Sequence, residues 1–187
     1  FIAGMGGAQF ALPGAEDRLR ESSEHPPVVL LAACDPANAW GATLAWPKRE
    51  GGAKPQRIPG AHVFAWDGHL LAWLSRSEKH LLCFVDATLH SDPAVRERLA
   101  GLLVDALVEL LHQPNARRRA LLLEKIDDAP AGEHELAPRL VDAGFMRSSS
   151  GLLRRRDRTW AREQVAKVRI IGAVEAGPEE DDADPDD

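Results

Sequence analysis

Cysteine is scarce in this chain: only Cys34 and Cys83 occur in 187 residues. Two thiols so far apart supply neither a disulfide framework nor a zinc ligand set. Each sits among apolar neighbours and reads as a reduced, buried thiol. No apolar run reaches the ~18 residues that a membrane span requires, and no signal peptide opens the chain. The expectation is a cytoplasmic protein without a membrane partner. There is no Walker A sequence, G-x-G-x-x-G, H-E-x-x-H, C-x-x-C or G-x-S-x-G, which removes the commonest phosphate cradles, zinc hydrolases and serine nucleophiles. Gly4-Met5-Gly6-Gly7 has glycines but no following Lys-Ser/Thr. No cofactor is expected in this chain. Methionine is missing from the first position, and Phe1-Ile2-Ala3-Gly4 reads as mid-chain sequence. The expectation is a carboxy-terminal piece of a larger protein.

What is present suits a packed domain: 44% hydrophobic and 28% charged residues are globular values. The net charge of −6 conceals an asymmetry. Eight of the 29 acids lie from Glu175 onward, where no base occurs, so the preceding body is slightly basic. Composition predicts four segments: a helical lead-in at 1–24 (the end of a preceding module), an α+β accessory domain at 25–158, a basic linker at 159–174, and a disordered acidic tail at 175–187. Within the lead-in, Pro13 suits the first turn of a short helix running to about Ser22.

Val28 to Ala33 is an apolar run of strand length. Cys34-Asp35-Pro36-Ala37-Asn38 has turn chemistry, Trp40 to Pro47 reads as a short extended piece, and Lys48 to Pro59 as an exposed loop. His62-Val63-Phe64-Ala65-Trp66 and His69 to Ser75 flank Asp67-Gly68, the signature of a type I′ hairpin. His80 to Val85 adds a third strand, making a meander. Ser91-Asp92-Pro93 opens a long helix, in which Val95, Leu99, Leu102, Leu103, Ala106, Leu107, Leu110 and Leu111 recur at helical spacing. Ala120 to Ile126 reads as a strand, Glu133 to Ala143 as a shorter helix stopped by Gly144, and Gly151 to Arg154 as a last strand. The fold class is α+β: an antiparallel β-meander or barrel-like sheet, covered by one long amphipathic helix and a shorter helix, with the acidic tail outside it.

Candidate site residues are few. His62, His69 and His80 fall on successive strands, and three histidines can hold zinc. Their alternation with apolar residues points instead to the solvated face of a meander, so no metal site is expected. Asp35, in a turn just after an apolar strand, is the candidate catalytic carboxylate. The alternative is that Asp35 and Asn38 close the turn on its own backbone. Arg117-Arg118-Arg119 forms one basic cluster. Arg154, Arg155, Arg156, Arg158 and Arg162 form another, with Trp160 offering a stacking face. Such residues suit a phosphate backbone and unpaired bases, or equally an ordinary solvated face. The acidic tail is expected to shield this basic surface until DNA displaces it.

Several segments together resemble one family. Ala8-Gln9-Phe10-Ala11-Leu12-Pro13-Gly14-Ala15, Ala32-Ala33-Cys34-Asp35-Pro36-Ala37-Asn38 with Gly41 and Trp46-Pro47, the Asp67-Gly68 meander, and Ala143-Gly144-Phe145 with Gly151-Leu152 resemble the last module of large helicase-related (Lhr) proteins. The likeness covers about residues 1–156. It implies a bacterial ATP-dependent 3′-to-5′ DNA helicase acting in DNA repair, whose ATP and Mg sites belong to motor domains outside this chain. It implies as partners single-stranded DNA or an RNA–DNA hybrid, upstream winged-helix and helicase domains of the same chain, and a possible homo-oligomer. Its alternatives are a share in a uracil-DNA glycosylase module, or a purely structural interaction domain. Glycosylases similar to that region carry a Gln–apolar–Gln motif, from which Gln9-Phe10-Ala11 departs.

Overall fold

The structure is a computed structural model and describes residues 13–14, 17, 26–49, 52–85, 92–113, 118–157 and 168–170. The expected lead-in helix lies almost wholly outside these residues, as does the acidic tail. Four strands form an antiparallel meander: β1 (Val28–Ala32), β2 (His62–Trp66), β3 (His69–Leu74) and β4 (His80–Cys83). The helix α1 (Pro93–His112) follows. After it come β5 (Ala120–Leu123), β6 (Lys125–Ile126), β7 (Ala129–Pro130), α2 (Ala137–Asp142), β8 (Met146–Ser148), β9 (Gly151–Arg155) and β10 (Val168–Ile170). One sheet has the order β10-β1-β2-β3-β4-β6-β7 and a second the order β5-β9-β8. Both are open. The fold is α+β as the sequence implies, but the sheet does not close into a barrel.

The large sheet is buried on both faces, which is why its strands read as continuous apolar runs. Val28, Leu30, Phe64, Leu71, Leu74 and Leu81 point toward α1, α2 and the small sheet. Leu31, Val63, Leu70, Trp73 and Leu82 point the other way. That second face is covered by the segment between β1 and β2, through Trp40, Trp46, Ala53 and Ile58. The stretch 48–59 is read from composition as an exposed loop, but its described residues 52–59 wrap the sheet: Pro55 is buried and Trp73 Nε1 donates to Gln56 O at 3.1 Å. The stretch Trp40–Pro47 is a turn closed by an isolated bridge from Trp40 to Leu44, not a strand. Its tryptophans are used as cover.

Helix α1 starts as its sequence directs. Asp92 is the N-cap, its carboxylate accepting Ala94 N–H at 2.8 Å, and Pro93 occupies the first turn. Leu99, Leu103, Leu107, Leu110 and Leu111 are fully buried, each contributing roughly 1.5–3 kcal/mol over an exposed position. Burial spreads round the second half of the helix to Val104 and Val108 and reaches the half-exposed Glu109. Loss of hydration pushes the Glu109 carboxyl up to about 7. A carboxyl raised in the folded state favours folding below its unfolded value and loses that advantage as pH climbs through the folded one. Glu109→Gln should therefore raise stability at pH 8 by about 1 kcal/mol, a figure discounted for the solvent-facing part of the group. It should leave stability unchanged near pH 4.5. Urea melts at both pH values check this, and an equal effect at both would contradict it.

Three segments depart from the expected pattern. The run Ala120–Ile126 is not one strand. It divides at Glu124, with β5 joining the small sheet beside β9 and β6 joining the large sheet beside β4. The shorter helix is limited to Ala137–Asp142 because Pro138 fits only its first turn. Residues 168–170, inside the stretch read as a basic linker, form β10 and pair in parallel with β1.

Candidate nucleic-acid interface

The basic clusters gather at one end of the fold, and strand geometry decides which of their members face solvent. Register pairs Ala120 with Arg155 and Leu121 with Arg154, and Arg156 N–H donates to Arg119 O at 2.9 Å just beyond. Side chains alternate along a strand, so Arg154 and Arg156 share the face of the buried Leu152, and Arg155 takes the opposite one. Arg156 Nη2 donates to Gln113 O at 3.1 Å and reaches His112 O at 3.4 Å, satisfying carbonyls at the end of α1. Arg154 is half-buried and lies over Gly144; loss of hydration lowers its pKa, while Asp157 favours its charge.

Arg118 is likewise committed. Its Nε donates to both carboxylate oxygens of Glu78 at 2.6 Å, its Nη2 pairs with the same carboxylate, and its Nη1 donates to Leu110 O at 3.1 Å. The members left facing solvent are Arg119 and Arg155. Arg117, Arg158, Trp160 and Arg162 lie outside the described residues.

At the opposite end of the sheet is a cleft of about 930 Å³ that the sequence did not announce. It is lined by Lys48, Arg49, Cys83 and Phe84, by the start of α1, and by Asp127, His134 and Arg139. Asp127 and Asp128 have φ of 50° and 72° and form the two-residue turn between β6 and β7, the geometry of a type I′ hairpin. Asp127 Oδ1 accepts Cys83 N–H at 2.9 Å and is paired with Arg49, and Oδ2 lies 3.2 Å from His134 Nε2. His134 Nδ1 accepts Leu136 N–H at 3.2 Å, so both ring nitrogens are engaged.

Asp128 Oδ1 accepts Ala53 N–H at 3.1 Å, and Oδ2 lies 3.5 Å from Arg49 Nη2. Burial works to raise the Asp127 carboxyl, but the contacts from His134, Cys83 N–H and Arg49 outweigh it and hold it below its usual value. This is a cross-brace tying Arg49 and Ala53 to the sheet. It is not a free acid–base pair, because each of its carboxylate oxygens already has a partner. Burial also raises the Cys83 thiol, with Asp127 adding to the effect, which favours its protonated form.

Asp35 closes its own turn: Oδ1 accepts Ala37 N–H at 2.8 Å. Asn38 is buried, donating from Nδ2 to Ala33 O at 2.7 Å and accepting Trp40 N–H at 3.1 Å. Arg57 donates to the carbonyls of Asn38 and Asp35 from above. The Asp-Pro-Ala-Asn segment thus folds the chain back so that Trp40 and Trp46 can cover the sheet.

The three strand histidines do not converge. His62 and His69 stand at opposite ends of the β2–β3 hairpin. His69 is exposed, as read from sequence. His62 and His80 are half-buried instead, with pKa values lowered chiefly by loss of hydration. His80 Nε2 lies 3.3 Å from Asp128 Oδ1 but off the hydrogen-bonding direction. No group of three metal-ligating side chains occurs among the described residues. Cys34, expected to be buried, is exposed at the turn after β1, and Cys83 is half-buried. No helix of the described residues is long and apolar enough to cross a membrane.

The described residues form an open sheet buried on both faces, braced by internal ion pairs and with exposed arginines at one end, and contain no assembled catalytic constellation. No protein-family model matches the chain. Over an alignment of 166 positions that covers 81% of this chain, it is 34% identical to the "Lhr helicase/ probable uracil glycosylase" of Mycolicibacterium smegmatis. It is also 34% identical over 158 residues to the "Lhr helicase/uracil glycosylase" of Escherichia coli. The chain spans about a tenth of the length of these curated relatives. It belongs to the Lhr family, of which it is one region.

Proposed function

We propose that this chain is a nucleic-acid-contacting accessory region of a helicase-related Lhr protein, and that Arg119 and Arg155 carry the contact. The observation that supports the reading most strongly is this exposed pair at the adjoining ends of β5 and β9. The neighbouring Arg118 and Arg156 are tied into the fold and hold the two strand ends in place. Guanidiniums on fixed strands meet phosphate oxygens with little ordering cost. Single-stranded DNA, or the exposed backbone of an RNA–DNA hybrid, fits that chemistry. ATP and Mg are assigned to other regions of the longer polypeptide, and the role is one in DNA repair.

The test compares binding of a mixed-sequence single-stranded DNA to the chain and to its Arg119→Glu/Arg155→Glu variant, which leaves the internal ion pairs intact. Affinity should fall by about tenfold or more at 0.1 M salt. A matched Lys48→Glu/Arg96→Glu variant at the cleft should bind as the parent does. Equal binding by the first variant would remove the reading.

A further inference from the structure

The cleft beside the start of α1 holds donors that the fold does not use. Among its cations, Arg139 is paired with Glu97 and Arg49 with Asp127. Lys48 and Arg96 line the same cleft, are exposed, and meet no acid among the described residues. Arg49 adds a further donor. Its side chain is only 17% exposed, and its Nε–H is buried with no acceptor among the described residues. Folded proteins leave few such groups unmatched. The guanidinium cannot turn to find a partner, because Asp127 and Asp128 take its Nη groups and Phe84 lies beneath it, 5.9 Å from its carbon to the ring centroid. The unmatched donor therefore has a fixed direction.

We propose that this cleft binds a free nucleoside monophosphate, at a site separate from the strand interface at the opposite end of the sheet. A phosphate monoester carries roughly 1.5–2 negative charges at neutral pH and three strong acceptor oxygens. Lys48, Arg96 and the Arg49 Nε–H supply the matching charge and donor. A phosphodiester inside a strand carries a single charge, so the same groups favour the free nucleotide. Glu135, the one lining acid without a described partner, is an acceptor for the sugar hydroxyls. Phe84, Val85 and Leu136 give the cleft an apolar wall for the base. Its volume of about 930 Å³ lies in the range that small ligands occupy, where a few placed polar groups orient a mostly apolar contact. Because Arg49 is already braced, binding need not order it.

Calorimetric titration of the full chain with adenosine monophosphate tests this, and saturable binding is expected. Adenosine and inorganic phosphate should each bind about tenfold more weakly or worse, since each offers only half of the contact. Lys48→Ala/Arg96→Ala removes two exposed side chains that pair with no described acid, so its melting curve should match the parent's. Its affinity for adenosine monophosphate should nevertheless fall by about tenfold or more. Arg119→Glu/Arg155→Glu should bind the nucleotide as the parent does. No binding by the parent, or equal affinity in Lys48→Ala/Arg96→Ala, overturns the proposal. Adenosine binding as tightly as its monophosphate overturns it too, because the cations would then play no part. Inorganic phosphate binding as tightly would remove the nucleoside, and with it the proposal. A loss confined to Arg119→Glu/Arg155→Glu would place the nucleotide at the strand interface and overturn the cleft as its site, leaving the interface reading intact.

Discussion

Asp127→Ala should destabilise the fold by about 3 kcal/mol, the scale seen when one partner of a buried ion pair is removed. The loss has three parts. Arg49 keeps its charge in a site only 17% exposed, and Cys83 N–H and His134 Nε2 lose their acceptor. Asp127→Asn should cost less, because its side-chain oxygen still accepts one N–H. The pH dependence separates this brace from a surface pair. A carboxyl whose folded pKa is depressed stabilises fully above its unfolded value and stops doing so as pH falls through the folded one. The parent should therefore lose the brace only below about pH 3.8, the ordinary value of this group, whereas the alanine variant lacks it at neutral pH. Denaturant melts at pH 7 and pH 3 check the difference; an Asp127→Ala chain as stable as the parent at pH 7 would show that the pair does not hold the loop.

Gly151→Ala is the second large effect. Gly151 has φ of +135°, a region side chains avoid, and a Cβ there would sit 2.1 Å from Leu123 O and 2.9 Å from Glu124 Cα. Those atoms are backbone of the paired strand, so relief requires β5 and β9 to separate. A cost of 3 kcal/mol or more is expected, with the arginine-bearing strand ends losing their register. Melting Gly151→Ala beside Gly68→Ala isolates the close approach. Both positions have positive φ, but nothing lies within 4 Å of a Cβ at Gly68. Equal losses in the two variants would assign the whole effect to backbone strain.

Local chemistry made part of this legible. Asp67-Gly68, with φ of 47° and 77°, adopts the hairpin its dipeptide specifies, and Asp92-Pro93 starts α1 where capping rules put it. The Asp-Asp turn at 127–128 adopts the same left-handed pair of conformations, and only a hydrophobic residue on each side signalled it. What stayed hidden depends on contacts between distant segments. Arg49 and Asp127 are 78 positions apart, and nothing in residues 48–59 marks them as cover for a sheet. The two arginine runs look uniform in sequence. Alternation along β9 separates Arg155 from Arg156, and Glu78 and the α1 carbonyls take up Arg118 and Arg156, while Arg119, at the bend before β5, and Arg155 are exposed. Asp35 had the right setting for a catalytic group, yet its nearest available donor was Ala37 N–H. Short polar side chains in turns usually take that option.

The most direct test is the salt dependence of single-stranded DNA binding by the full chain and by Arg119→Ala/Arg155→Ala. If each guanidinium neutralises one phosphate, the slope of log affinity against log salt should be shallower in the variant by about 1.4. Identical slopes, with or without a change in affinity, would mean that these two side chains do not meet the phosphate backbone.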